Sequence, residues 1–100
     1  MITVQEPTYQ GLPILTVQTR KGQKNVLDEL AYFGMDLYDV QEILNEGYNC
    51  SRSQRRKGIV EMCVHRDNKI VKVVVQKGCI EINGKECWEL IHVGKFSKRR

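Results

Sequence analysis

The longest regular pattern of apolar and polar positions runs from residue 59 to residue 75. It contains two runs rich in β-branched residues, separated by Asp67-Asn68, a dipeptide that tolerates positive φ in a tight hairpin. With these two residues as the loop, Arg66 lies opposite Lys69, and alternate side chains of both strands fall on one face. That face is apolar and is expected to enter the core. Its members are Val60, Met62, Val64, Val71, Val73 and Val75.

The other face of this predicted hairpin is chemically mixed. It carries Ile59, Glu61, Cys63, His65, Ile70, Lys72, Val74 and Gln76. Because an antiparallel sheet can keep one face in water, a small domain can display functional side chains on such a face. The pattern therefore directs the search for a site to this side of the hairpin.

Two amphipathic helices are predicted before the hairpin. Residues 25–33 carry apolar side chains at helical spacing, with Asn25 as the N-cap, and Gly34 ends this helix. A second helix is capped by Asp36 and ends at Gly47. Since each helix is too short to be stable alone, we expect an αα-hairpin that lies on the sheet.

Further strands are predicted towards both ends of the chain. Residues 1–11 are expected to be an irregular lead-in, and residues 12–19 alternate as a first strand does. A short strand is expected near Tyr48, before a polar loop. Asn83-Gly84 is a strong hairpin signal, residues 88–93 form the last long strand, and a mobile basic tail follows over 97–100.

These elements predict one α+β domain over residues 1–100, in the order β-α-α-β-β-β-β. The αα-hairpin is expected to pack on a mainly antiparallel sheet of three to five strands. One hundred residues can bury a modest core without disulfides or a metal.

The placement of the last strand depends on one predicted bulge. If the strand before the Asn83-Gly84 turn had no bulge, the register set by that turn would put His92 on the core face. A bulge at Lys77-Gly78 shifts the parity, so that Ile91 and Val93 enter the core and His92 turns outward. We expect the bulge. The large apolar residues then left outside, under the tail or in an interface, are Trp88 and Leu90.

Charge is unevenly distributed along the chain. Residues 1–50 contain three Lys and Arg against seven Asp and Glu, a net −4, whereas residues 51–100 contain thirteen against five, a net +8. A basic half of this kind favours polyanions, among which nucleic acid is the commonest partner in a cytoplasm. The alternative is a solvated basic surface without a specific partner.

The cysteines and the absence of a membrane span bear on location. No run approaches the length of a membrane span, and the N-terminus lacks the features of a signal peptide, so a cytoplasmic location is expected. Four cysteines occur without a CxxC pair, which in a cytosolic chain argues against a disulfide framework and a standard zinc finger. We expect them to be small buried or half-buried hydrophobes. An alternative zinc module would use Cys63, His65, Cys87 and His92.

Residues 33–49, FGMDLYDVQEILNEGYN, resemble an element written roughly as RGIS.EDIEEVLENG in the BrnT-like branch of the RelE/ParE toxin superfamily and in a related domain of unknown function. VKVVV at residues 71–75 and WELIHVGKFSKRR at 88–100 are similar to the terminal strands and basic end of that superfamily. The resemblance covers about residues 25–98 of the chain.

The resemblance implies a small sheet with a helical hairpin on one side, a basic exposed face and, in active members, cleavage of free or ribosome-bound mRNA. A ribosome and a cognate antitoxin-like protein are the partners it implies. The related domain often has His and Arg on its first helix, whereas this chain has Asn25, Glu29 and Phe33 there.

A metal-independent endoribonuclease needs a base for the 2′-hydroxyl proton, cations near the phosphate and an acid for the leaving oxygen. The candidate catalytic residues are His65, Lys72 and His92, with no cofactor. The candidate phosphate-binding residues are Arg52, Arg55, Arg56, Lys57, Arg66, Lys95, Lys98 and Arg99. Few aromatic residues are placed to stack on bases: Tyr48, Trp88 and Phe96. The sequence thus predicts a RelE-like protein that binds or cleaves RNA, with a non-catalytic interaction module as the alternative.

Overall fold

Six strands and two helices make up the described part of the chain, which covers residues 7–16, 26–50, 58–80, 84 and 86–97 of the computed structural model. In chain order the elements are β1 (Thr8–Tyr9), β2 (Leu12–Leu15), α1 (Val26–Tyr32), α2 (Leu37–Glu46), β3 (Tyr48–Asn49), β4 (Ile59–Arg66), β5 (Lys69–Ile80) and β6 (Glu86–Ser97). The predicted α+β class is confirmed. The predicted strand number is too low, because one short strand precedes the expected order.

That additional strand is β1, which lies within the expected irregular lead-in over residues 1–11, of which residues 1–6 are outside the described residues. Gln10 and Gly11 connect β1 to β2 with φ angles of 53° and 79°. Two consecutive positive φ values are what a two-residue type I′ hairpin requires. β2 ends at Leu15, and the predicted extension of this strand over 17–19 lies outside the described residues.

The sheet has the strand order β1-β2-β6-β5-β4-β3. β2 and β6 pair in parallel, and every other neighbouring pair in the described sheet is antiparallel. The predicted mainly antiparallel sheet is therefore confirmed. The parallel pair joins strands from the two ends of the chain and places Ile14 beside Trp88.

The central hairpin has the register that its alternation predicts. Arg66 is the Cα partner of Lys69, Val64 of Val71, and the pairing continues to Ile59 with Gln76. Asp67 in the turn has a φ of 55°. The predicted apolar face contributes to the main core, with four valines buried and Val60 and Met62 partly buried.

Both helices begin and end close to the predicted residues and pack on this apolar face. Asp36 and Asp39 form a capping box: Asp36 Oδ1 accepts from the Asp39 N–H at 3.0 Å, and Asp39 Oδ2 accepts from the Asp36 N–H at 2.9 Å. Gly34, with a φ of 66°, follows α1, and the predicted cap Asn25 lies outside the described residues. Neither described helix has the length and apolar character needed to cross a bilayer.

The last strand differs from the prediction because it pairs through two bulges instead of one. The expected bulge is present at Gly78, whose φ is 120°. A second irregularity lies between Val74 and Val75, where Ile91 is the extra residue on β6. Two single-residue bulges on opposite strands restore the original parity.

The second bulge reverses the predicted burial of three residues. Leu90 and Trp88 are core residues with 1% and 3% exposure, whereas Ile91 is 38% exposed. Trp88 also donates its indole N–H to the Tyr9 carbonyl oxygen at 2.9 Å. The predictions for Val93, which is buried, and for His92, which is exposed, are confirmed.

β6 also continues beyond the predicted strand and into the expected tail. Phe96 pairs with Ile70 and Ser97 with Lys69, because β5 offers a partner along this whole length. Ser97 is therefore a strand residue, and residues 98–100 lie outside the described residues. The predicted turn residue Asn83 is also outside them.

Candidate functional site

The face of the sheet away from the helices, here called the outer face, is open only in part. Glu61, Cys63 and Val74 are buried on it. The open part lies at the β4–β5 turn, where β6 also ends. We call this region the hairpin-end patch, and its members are Tyr48, His65, Ile70, Lys72 and Phe96.

Tyr48 and His65 form a stacked pair in the hairpin-end patch. Their ring centroids are 5.4 Å apart with an interplanar angle of 25°, and Tyr48 Oη lies 3.0 Å from His65 Nε2. Strand β3 positions Tyr48 by pairing it with Cys63, two residues before His65 on β4. Both side chains are exposed. The predicted catalytic His65 thus shares one ring nitrogen with a phenol and presents an aromatic surface.

Lys72 neutralises a buried carboxylate. Its Nζ lies 3.1 Å from Glu61 Oε1, and the Glu61 side chain is 5% exposed. The same Nζ lies 5.9 Å from the centroid of the Phe96 ring. Because a buried carboxylate is costly without a counter-charge, Lys72 has a structural role in addition to any contact with phosphate. The alternation of β4 places Glu61 on the same face as Lys72, but it does not show this pairing.

Phe96 and His65 share one row of the sheet. Both flank Ile70 in the register, so their Cα atoms are separated by two strand spacings, about 10 Å. Phe96 is 45% exposed. Two aromatic surfaces therefore lie side by side at one end of the outer face.

Arg66 and Lys95 lie at the same end of the sheet but on the helix side. Arg66 Nη2 is 3.0 Å from Glu42 Oε1 in an ion pair that is about half exposed on both sides. Together with Lys95 and Asp39, these two residues line a groove of about 360 Å³. An exposed pair of this kind contributes little to stability, so a phosphate can compete for Arg66 at a small cost.

His92 lies in a separate place. It pairs with Val74, whereas His65 pairs with Ile70, so the two imidazoles are four residues apart along the strands and two strands apart. These spacings separate their Cα atoms by about 16 Å. His92 instead meets Glu29 of α1, with 3.0 Å between His92 Nδ1 and Glu29 Oε2. The predicted catalytic residues therefore divide into His65 with Lys72, and His92 alone.

The pairing of Glu29 with His92 has no signal in the sequence. The helical spacing of α1 shows which residues are apolar, but it does not show which strand the polar side faces. The densest predicted phosphate-binding cluster and the basic tail lie outside the described residues: Arg52, Arg55, Arg56, Lys57, Lys98 and Arg99.

The cysteines differ from the expectation of free thiols. Cys50 and Cys63 form a disulfide with 5.8 Å between their Cα atoms, within the range of about 4.4–6.8 Å that disulfide geometry allows. Cys63 is buried, as expected for a small apolar residue. The Cys50 N–H donates to the Glu61 carbonyl oxygen, which brings Cys50 next to β4. Cys87 is disulfide-bonded as well, and the described residues include no free thiol.

The disulfides also bear on the zinc alternative. A thiolate is the form of cysteine that binds zinc, so the sulfurs of Cys63 and Cys87 are not available as ligands in this structure. His65 and His92 are too far apart to share an ion, as their strand positions show. Within the described ranges, no group of three or more His, Cys, Asp or Glu side chains is arranged to hold a metal.

The geometry of the hairpin-end patch suits stacking against flat rings. Its aromatic surfaces are exposed, its lysine is held by a carboxylate, and further basic residues lie at the same end of the sheet. Comparison of the chain with protein-family models, with curated proteins and with solved structures found no match.

Proposed function

We propose that this chain binds single-stranded RNA through the hairpin-end patch. The observation that carries the proposal is the stacked Tyr48–His65 pair beside Phe96 on one exposed row of the sheet. Unpaired bases stack on Phe, Tyr and His side chains, and each stacked base contributes about 1–3 kcal/mol. The RelE-like fold belongs to the same proposal.

Basic residues near the patch support contacts with the RNA backbone. Lys69 is exposed at the start of β5, where its Nζ donates to Ser97 Oγ at 2.9 Å. Arg66 and Lys95 lie at the same end of the sheet. The net charge of +8 in residues 51–100 adds a field that attracts phosphate without reading sequence.

The contacts favour binding over cleavage as the activity of this patch. His65 Nε2 is shared with Tyr48, Lys72 is paired with Glu61, and His92 is remote. A phosphodiester held at the patch would therefore meet one imidazole rather than a facing acid and base. Endoribonuclease activity is the second candidate, and it rests on His65.

Replacement of both aromatic surfaces tests the binding proposal. We expect Tyr48→Ala with Phe96→Ala to weaken binding of a labelled single-stranded RNA by about a hundredfold, from roughly two lost stacking contacts. Fluorescence anisotropy at several salt concentrations would measure the affinity. Tyr38→Ala is the matched control, because Tyr38 is an exposed aromatic residue on α2.

The basic residues at positions 52–57 and the cleavage alternative can be examined with the same RNA. Replacing Arg55, Arg56 and Lys57 together should weaken all sequences about equally and lower the log–log salt slope by roughly 0.7 for each lost contact. If the protein cleaves the RNA, His65→Ala should lower the rate about a hundredfold or more. If the wild-type protein shows no salt-dependent affinity for RNA, the proposed RNA-binding function is refuted.

A further inference from the structure

A second recess lies between α1 and the C-terminal half of β6. We call it the α1–β6 groove; its volume is about 530 Å³, within the range of about 300–1,000 Å³ typical of small-molecule sites. Its lining includes Asp28, Glu29 and Tyr32 from the helix and His92 and Phe96 from the strand. Phe96 borders both this groove and the hairpin-end patch.

Glu29 fixes the orientation of His92 in the groove. One carboxylate oxygen, Oε1, accepts from the Val93 backbone N–H at 3.3 Å, and the other, Oε2, lies 3.0 Å from His92 Nδ1. The Glu29 side chain is largely buried. Because both oxygens are anchored, a neutral His92 donates its Nδ1–H to Glu29 and keeps Nε2 as a hydrogen-bond acceptor.

His92 Nε2 has no hydrogen-bond partner within the described ranges of the chain. Gly94 leaves room for the ring, since a Cβ there would lie 3.1 Å from Nε2. The imidazole itself is about half exposed and lines the groove. It therefore offers an oriented acceptor to a ligand.

Aromatic side chains line the groove from both the helix and the strand. Tyr32 is 84% exposed, and its ring packs edge-on against Phe33 with 5.1 Å between centroids. Phe96 lies on the strand side. Asp28 is one helical turn before Tyr32, so their side chains project from the same side of α1.

We propose that the α1–β6 groove binds a nucleobase, whose ring stacks on the aromatic side chains while an N–H group of its base-pairing edge donates to His92 Nε2. All four RNA bases carry such a donor. The proposal deepens the proposed function and rests on it, because the shared residue Phe96 would make the groove the site for one base of the bound strand. The base of a free nucleotide can make the same stacking contacts and the same hydrogen bond.

Titration with nucleoside monophosphates, followed by NMR, tests the pocket. We expect AMP to shift the His92 imidazole nitrogens and the Gly94 amide in a saturable way. N6,N6-dimethyl-AMP, which lacks the donor group on its base-pairing edge, should bind at least tenfold more weakly. Inorganic phosphate is the control for adventitious anion binding. If phosphate alone reproduces the shifts, or if both nucleotides bind equally, the pocket is refuted.

Glu29→Gln tests the positioning role. The glutamine oxygen can still accept from Val93, while its amide group donates to His92 Nδ1 and so moves the ring proton to Nε2. We expect nitrogen chemical shifts to show the inverted tautomer and AMP affinity to fall at least tenfold. Glu46→Gln, an exposed acid on α2, is the matched control. An unchanged tautomer and affinity in Glu29→Gln would contradict the proposal.

Two further variants keep the test independent of folding and of the proposed function. Tyr32→Ala changes a side chain that is almost fully exposed, and it should weaken AMP binding without lowering stability. Tyr48→Ala should weaken RNA but leave the AMP titration unchanged. Saturable AMP binding without RNA binding would refute the proposed function and support the pocket. RNA binding without AMP shifts at His92 would refute the pocket and support the proposed function.

Discussion

Gly47 lies in a close contact between the end of α2 and β4. It follows α2 and directly precedes Tyr48 on β3. A Cβ at this position would lie 2.5 Å from the Ile43 carbonyl oxygen and 2.6 Å from that of Cys63. The φ of −76° is open to any residue, so the constraint is steric and not conformational. Gly47 therefore allows α2 to end directly against β4.

We expect Gly47→Ala to destabilise the protein by about 3 kcal/mol. Overpacking typically costs about 1–3 kcal/mol. The cost is expected at the upper end here because both clashing atoms are backbone oxygens, one in α2 and one in β4. Relief would also weaken the Gly47 N–H bond to the Ile43 carbonyl oxygen, now 2.8 Å long. With an unfolding entropy of about 0.2 kcal/mol/K for 100 residues, the melting temperature should fall by about 15 °C.

Calorimetry of Gly47→Ala beside Glu46→Ala would measure this effect, because Glu46 is the exposed neighbouring residue in the last turn of α2. The control should melt within about 2 °C of the wild type. RNA affinity of the alanine variant should also fall, since the displaced chain carries Tyr48 away from His65. A melting temperature of Gly47→Ala equal to that of the control would refute the close approach of α2 and β4.

Two further predictions concern the sheet. Leu90→Ala should lower the free energy of unfolding by about 2–5 kcal/mol and Ile91→Ala by less than about 1 kcal/mol, because Leu90 is the buried residue; denaturant titration giving the opposite order would support a single bulge. Loss of the Cys50–Cys63 disulfide, which spans 13 residues, should cost about 3 kcal/mol. Denaturation of the wild type and of Cys50→Ala would measure this cost while the disulfide of Cys87 stays intact, and an unchanged midpoint in Cys50→Ala would contradict it.

Features that depend on neighbouring residues were predictable from the chain alone. The alternation of residues 59–75 and the Asp67-Asn68 turn specify the register of β4 and β5, because a one-residue slip would expose the whole apolar face. The capping box of Asp36 and Asp39 lies within one helical turn, so its residue types suffice to place the start of α2. The mixed composition of the outer face was predictable for the same reason, although only its hairpin end is open.

Features that join distant segments required the folded structure. The parallel pairing of β2 with β6 and the Cys50–Cys63 disulfide depend on which elements meet in space. The bulge at Ile91 has no local signal of its own; it places Leu90 and Trp88 among the apolar residues of the core.

The candidate site divides in the same way. Alternation along each strand was enough to assign His65 and Lys72 to one face, since side-chain direction in a strand is local. The acids that pair with Lys72 and His92 belong to other elements of the chain. Glu61 lies on the neighbouring strand β4, diagonally across from Lys72, and Glu29 lies on α1, which docks beside β6. Ion pairs of this kind require the two groups to lie within a few ångströms in space, and their partners have no fixed separation along the sequence. Only the packing of the elements brings the partners together.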